Sequence, residues 1–183
     1  RHLAEPHQRD DLRALIQTLR PVVPASGGRA FLLFTSHRAL RDAAELLAGD
    51  PWPLFVQGTA QRNVLLDRFR ASGNGVLLGA ASFWEGVDVP GDALSVVVID
   101  KLPFAPPDDP LLAARLRKLE DDGGNAFRDW QLPQAAISLK QGAGRLIRTE
   151  TDRGVLRIGD PRLVGEPYGQ IMGSGLRPLR RPR

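Results

Sequence analysis

The residues best suited to chemistry sit late in the chain, in the run Gln141-Gly-Ala-Gly144-Arg145-Leu-Ile-Arg148. On a helix, positions 141, 145 and 148 fall at i, i+4 and i+7 and share one face, with Leu146 and Ile147 turned toward a core. Two guanidinium groups beside a carboxamide suit a polyanion, because each fork matches phosphate oxygens in pairs and stays charged. Gly142 and Gly144 each cost a helix up to about 1 kcal/mol relative to alanine. A helix that keeps both beside a polar face leaves room for a close approach to its backbone. A surface helix with two solvated arginines fits the same spacing, so spacing alone leaves both readings open.

The other half of a phosphate site is missing. A P-loop needs Gly-Lys-Ser/Thr, in which backbone amides cradle the phosphates and the lysine reaches the terminal ones. The lysines here are Lys101, Lys118 and Lys140, preceded by Asp100, Arg117 and Leu139, so no Gly-Lys pair exists. The chain is therefore not a self-sufficient NTPase of the P-loop kind. No Gly-x-Gly-x-x-Gly follows a strand, which excludes a dinucleotide fingerprint. The run Val96 to Asp100 imitates a metal-holding strand end, but without a P-loop Asp100 reads as an ordinary strand-terminal acid. The absence of cysteine excludes disulfides, thiolate zinc and iron–sulfur ligation within this chain. The spacing of His2, His7 and His37 suggests no metal site.

The elements that must position these residues alternate between helix and strand. Arg9 to Arg20 carries an apolar stripe of Leu12, Leu15, Ile16 and Leu19, and Pro21 to Gly28 reads as a loop. Ala30 to Phe34 is a compact strand running into Thr35 and Ser36, good N-cap types for a helix from His37 to about Ala48. Leu54 to Val56, Gly75 to Leu78, Leu94 to Ile99 and Gly154 to Ile158 are further strands. Helices are expected over Gln61 to Arg70, after the Pro-rich stretch Pro103 to Pro110 as far as about Glu120, and over Ala126 to Ile147 with an interruption near Pro133. Strands separated by helices predict an α/β fold, a mostly parallel sheet with helices on both faces. The organisation expected is an N-terminal helix and linker over residues 1–28, one α/β domain over 29–172 and a basic tail over 173–183.

Composition adds bounds. Hydrophobic residues make up 42% and charged residues 25% of the chain, which is ordinary for a folded domain. The longest apolar runs, Phe31 to Phe34 and Val96 to Ile99, are far shorter than the roughly 20 residues of a membrane span. A soluble, cytoplasmic protein is expected. Of the 25 basic residues, four arginines fall in the last seven positions, which leaves 21 against 21 acidic residues in the rest. The net charge of +4 thus describes the tail, and the body shows no bulk attraction for nucleic acid.

Gln-x-x-Gly-Arg-x-x-Arg resembles motif VI of superfamily 2 helicases, and the remaining motifs narrow the resemblance to the DinG/XPD-like group. Leu33-Phe-Thr-Ser-His37 is similar to that group's motif IV, with His37 where tyrosine is frequent. Ser82-Phe-Trp-Glu-Gly-Val-Asp-Val-Pro-Gly91 is similar to its motif V. Lys101-Leu-Pro-Phe104, Asp109-Pro110, Leu132-Pro133, Asp160, Arg162 and Tyr168-Gly169 follow in the family's order. The match covers about Gly27 to Gly169.

The resemblance implies a C-terminal RecA-like domain of an ATP-dependent DNA helicase, working 5′ to 3′ on single-stranded DNA. It implies that ATP and Mg2+ are held mainly by an N-terminal RecA-like domain, with Arg145, Arg148 and Gln141 reaching the γ-phosphate from this side. Glu85, Gly86, Asp88 and Gly144 would lie near the nucleotide, although Glu85 and Asp88 also suit plain capping of loop amides. Thr35, Ser36, Ser82, Phe83 and Trp84 are the candidates for DNA contact. N-capping explains Thr35 and Ser36 equally well, and a buried pair under the loop explains Phe83 and Trp84. The partners implied are that N-terminal domain and single-stranded DNA. Two other classes remain: a single-strand-binding module without enzymatic activity, and an interaction remnant of a split helicase.

Overall fold

Val, Leu, Ile and Phe fill the central strands so densely that neither of their faces can be left to water. In the computed structural model, which describes residues 6–80, 83, 94–105, 109–146 and 153–176, five strands form one sheet. They are β1 (Ala30–Leu33), β2 (Leu54–Val56), β3 (Val76–Gly79), β4 (Val96–Ile99) and β5 (Val155–Ile158). Their order is β2-β3-β1-β4-β5 and every pairing is parallel. Strands β1, β3 and β4 are buried along their whole length, as parallel strands covered on both faces must be.

The chain divides into two compact units. The first comprises residues 1–101 and 141–160 and contains the sheet. Helices α1 (Pro6–Leu19), α2 (Val22–Ala25) and α3 (His37–Leu47) cover one sheet face. Their Leu12, Ile16, Leu19, Val23, Leu40, Ala43 and Leu47 share a core with Leu32, Leu78 and Val98. The stretch expected as an N-terminal helix and linker thus packs into the same core as the sheet. Helix α4 (Arg62–Ser72) meets the opposite face, where Phe69 packs edge-on against Phe55 with ring centres 5.8 Å apart. Arg20 ties the end of α1 to the turn after α3 by donating from Nε to both carboxylate oxygens of Asp50, at 3.1 and 3.2 Å.

Local signals set the boundaries. Ser36 caps α3 by accepting from the Ala39 amide at 3.1 Å. Gly73 ends α4 in the left-handed conformation. Gly28, at φ +83, lies so close to the neighbouring turn that a Cβ there would meet the Asn74 Cα at 2.5 Å.

The second unit comprises residues 102–140 and 161–183. Helix α5 (Pro110–Asp121) begins with proline in its first turn, and Asp109 Oδ1 accepts from the Leu111 and Leu112 amides. A π-helical segment, Ala126–Gln131, follows and runs directly into α6 (Leu132–Ala143). Asn125 and Asp129 close its start reciprocally: Asn125 Oδ1 accepts from the Arg128 amide, and Asp129 Oδ2 from the Asn125 amide. Pro133 falls in the first turn of α6, directly after the π-helical segment, and the helical path continues through it. Helices α7 (Arg162–Gly165) and α8 (Pro167–Ser174), absent from the sequence reading, complete the unit.

Phe69→Ala removes a fully buried ring from the α4 face. It is expected to cost about 3–5 kcal/mol of stability, read as a lower denaturant midpoint at unchanged slope.

Candidate nucleotide and nucleic-acid site

Because every pairing is parallel, the carboxyl ends of the strands lie along one edge and the amino ends along the other. The carboxyl edge carries Thr35 and Ser36 after β1, Asp100 after β4, and Gly79 at the end of β3 with Ala80 and Phe83 beyond it. Open α/β sheets place their ligands at this edge.

At its centre is a carboxylate that the sequence reading treated as ordinary. Asp100 is 7% exposed and accepts three hydrogen bonds. Its Oδ1 takes the Thr35 amide at 2.9 Å and the Lys101 amide at 2.7 Å, and its Oδ2 takes the Thr35 hydroxyl at 3.4 Å. Burial pushes this carboxyl up from 3.8 to about 6, while the Thr35 and Lys101 amides and the Lys101 charge pull the other way. The main chain of Asp100 is held as well. Its amide donates to Leu33 O at 3.0 Å, and a Cβ on Gly159 would meet its carbonyl at 2.7 Å. A carboxylate that three donors already face is a poor Mg2+ ligand. Among the described residues, no three acidic, histidine or cysteine side chains group as a metal site would require. The described residues therefore do not fit a metal ion.

Ser36 is exposed. Its capping bond to Ala39 uses an oxygen lone pair and leaves its proton available to donate. Phe83 is 3% exposed. Its Cβ sits where a Cβ on Gly79 would meet it at 2.6 Å, and the Arg62 guanidinium lies 5.3 Å from its ring centre. The ring is packed inward and has no face open to a base, so in this structure it is the buried aromatic and not the stacking platform.

Around Arg145 the helix-face reading needs correction. Helix α6 ends at Ala143, and Gly144 to Leu146 continue as a tighter turn, with Arg145 N donating to Gly142 O and Leu146 N to Ala143 O. Two glycines at the end of a helix weaken its last turn, so the i, i+4 relation of Gln141 and Arg145 does not hold as drawn. Gln141 and Gly144 are exposed. Arg145 is half-buried with its Nε enclosed. Leu146, 1% exposed, anchors the turn. A Cβ on Gly154 would meet the Leu146 Cδ1 at 2.5 Å and Ser95 O at 2.7 Å, so Leu146 packs where β4 and β5 begin. The structure thus separates the candidates: Arg145 belongs to the amino ends of these strands, Thr35 and Ser36 to the carboxyl ends. Arg148, Ser82, Trp84, Glu85, Gly86 and Asp88 lie outside the described residues.

In the second unit, three residues form a cluster that sequence reasoning did not single out. Phe104 stacks on Phe127 at 5.7 Å, Tyr168 meets both edge-on at 6.0 and 5.2 Å, and the Arg162 guanidinium lies 5.4 Å from the Phe104 ring centre. Phe104, Arg162 and Tyr168 had been visible only as scattered pieces of a family pattern. Gly169 beside Tyr168 lies against the α7 backbone, where a Cβ would meet Arg162 O at 2.8 Å.

A parallel five-stranded sheet, with an arginine turn near the amino ends of two strands and a capped strand-to-helix turn at the carboxyl edge, is an α/β fold of the kind that helicase C-terminal domains have. The chain belongs to the helicase C-terminal domain family, whose model matches residues 19–179. It is 50% identical to the ATP-dependent DNA helicase YoaA of Escherichia coli (strain K12) over 184 aligned positions, covering 100% of this chain and 29% of that protein. It is 43% identical to the ATP-dependent helicase DinG of Mycobacterium tuberculosis (strain ATCC 25618 / H37Rv), covering 86% of this chain and 24% of that one. The chain thus spans under a third of the length of these curated relatives. The solved structure of an XPD helicase superposes with a TM-score of 0.71 at 16% identity, over 98% of this chain and 32% of that one, and so shares the fold. The DinG/XPD-like family that the motifs imply is the family found, and the mostly parallel α/β sheet is the fold found.

Asp100 gives a pH prediction with a definite sign. Its carboxyl is raised in the folded state, so the folded state binds the proton more tightly. Its contribution to stability is greatest below about 4, and falls by about 3 kcal/mol as pH rises through about 6. Asp100→Asn keeps the shape and removes the buried charge. It is expected to raise stability by an amount on the order of 3 kcal/mol at pH 8 and by almost nothing at pH 4, in paired denaturation curves.

Proposed function

We propose that this chain is the second motor domain of a DinG-type, ATP-dependent DNA helicase. In this reading an N-terminal RecA-like domain holds ATP and Mg2+, and this chain closes on the nucleotide from the other side. Arg145 and Arg148 stabilise charge developing on the γ-phosphoryl group, and Gln141 positions phosphate or the attacking water. The observation that carries the reading is Arg145 itself. A half-buried guanidinium, its Nε enclosed and its turn pinned by Leu146, is preorganised in a chain that lacks any Gly-Lys pair of its own. Membership of the helicase C-terminal domain family supports reading a nucleotide as the polyanion this arginine meets.

Single-stranded DNA would cross the carboxyl edge of the sheet. There Ser36 and the first amides of α3 offer donors to a backbone phosphate, a contact that positions a strand without reading its sequence. ATP binding draws the two motor domains together and product release lets them part, so two grips alternate along one strand. We assign 5′ to 3′ movement and a cytoplasmic location to this enzyme on the same reading.

The test is ATP turnover with and without single-stranded DNA, for the chain alone, for the chain joined to a matching N-terminal helicase domain, and for the joined protein with Arg145→Ala. Turnover is expected only in the joined protein, stimulated by DNA and reduced on the order of 10³-fold by Arg145→Ala. Turnover by the chain alone would sink the proposal, as would an Arg145→Ala protein of normal activity.

A further inference from the structure

Two side chains follow β1 on the carboxyl edge, and both carry a hydroxyl that suits a phosphate. Their surroundings differ. Both donors of Thr35, the amide and the hydroxyl, are turned inward onto Asp100, at 2.9 and 3.4 Å. An ionised carboxylate can only accept, so the Thr35 proton must point toward it and the lone pairs of that hydroxyl face away. Ser36 is the opposite case. Its oxygen accepts from Ala39 and its proton is left to donate outward. A phosphate needs donors, so the two hydroxyls are not equivalent toward it.

The geometry points to Asp100 as the positioning residue of this turn: it keeps the Thr35 donors for itself and thereby assigns the phosphate contact to Ser36. The inference deepens the proposed function and rests on its reading that a DNA strand meets the β1–α3 turn. Asp100 sits at the end of β4, directly beside β1, and its amide is bonded to Leu33 O, so the carboxylate is fixed relative to the turn it controls. It also places a buried negative charge behind the phosphate position, which weakens the grip and favours release of the strand. The hydroxyl contact is long, at 3.4 Å, whereas the two amide contacts are short. The hydroxyl is therefore the part of the clasp that can reverse.

Substituting the carboxylate by its amide reverses that one bond. In Asp100→Asn, Oδ1 still accepts the Thr35 and Lys101 amides, while Nδ2 replaces Oδ2 and donates to the Thr35 oxygen. The Thr35 proton is then free to turn outward, and the turn offers a phosphate two hydroxyl donors in place of one.

The experiment measures half-saturating single-stranded DNA for stimulation of ATP turnover, in the complete helicase containing this domain. The variants are Ser36→Ala, Thr35→Val, Asp100→Asn and the double variant Asp100→Asn/Thr35→Val, each confirmed as folded by its melting curve. Ser36→Ala is expected to raise half-saturating DNA about tenfold and Thr35→Val to raise it less. Asp100→Asn is expected to lower it severalfold, with the change falling on half-saturation more than on turnover at saturating DNA. That gain should disappear when Thr35 is valine.

If Ser36→Ala weakens DNA binding but Asp100→Asn leaves it unchanged, the positioning role is overturned and the reading of the turn stands. An Asp100→Asn gain that persists undiminished with valine at 35 is a general charge effect and likewise overturns the role. Thr35→Val costing as much as Ser36→Ala overturns the assignment even if Asp100→Asn does not fold. If no variant moves half-saturation, the strand does not meet this turn, and both readings fall together.

Discussion

Burial of β1 and β4 on both faces is the constraint on which everything else in the sheet-bearing unit rests. These two strands pair in register from Ala30 with Val96 to Leu33 with Ile99, and no residue of either is open to water. Four residues of extended chain span about 13 Å. Over that length the two strands are stiff, because any slip would expose apolar side chains or leave backbone groups without partners. The Arg145 turn packs near the beginning of β4, and the Asp100 carboxylate hangs from its end. The two candidate surfaces are therefore held at opposite ends of a short rigid bar.

The buried carboxylate shows what such a frame permits. An acid with this degree of burial normally pairs with a cation or neutralises, and either outcome costs stability or freedom of design. Here three donors meet it: two backbone amides and a hydroxyl, all supplied by the ends of β1 and β4. The amides are available because the strands stop there and their next N–H groups have no ladder partner. Strand termination and carboxylate stabilisation are one arrangement seen from two sides. Burial still holds the carboxyl above its usual range, so the donors offset the cost of burying it only in part.

Much of this was legible in the sequence. The apolar runs Ala30 to Phe34, Gly75 to Leu78 and Leu94 to Ile99 correspond to β1, β3 and β4 because period and burial act on the same residues. Ser36 as a cap is local chemistry and was visible as such, whereas Pro110, read as the end of a Pro-rich stretch, opens α5. The register of Asp100 against Thr35 was not, because it depends on which strands become neighbours, 65 residues apart. Spacing along Gln141 to Arg148 suggested a continuous helix, and the two glycines that cast doubt on that helix end it instead, so Arg145 lies in a turn. Helices α7 and α8 were missed because four and eight residues carry too little periodicity to register. The Phe104, Phe127 and Tyr168 cluster joins three separate stretches, and no pattern within any one of them announces the other two.

The path of the chain through the sheet has a consequence for how the domain is made. β4 pairs on one side with β1 and on the other with β5, yet between β4 and β5 the chain leaves to build much of the second unit. As the protein emerges from the ribosome, β4 can dock on β1 at once, whereas its other edge waits until Val155 to Ile158 have been synthesised. During that interval Val96 to Ile99 present an unpaired, wholly apolar strand edge, the kind of template that captures other chains. Closing so long a loop is entropically slow, and parallel pairing over large sequence separation is slow in its own right. The order in which the strands are made therefore sets how long this edge of β4 waits for its neighbour.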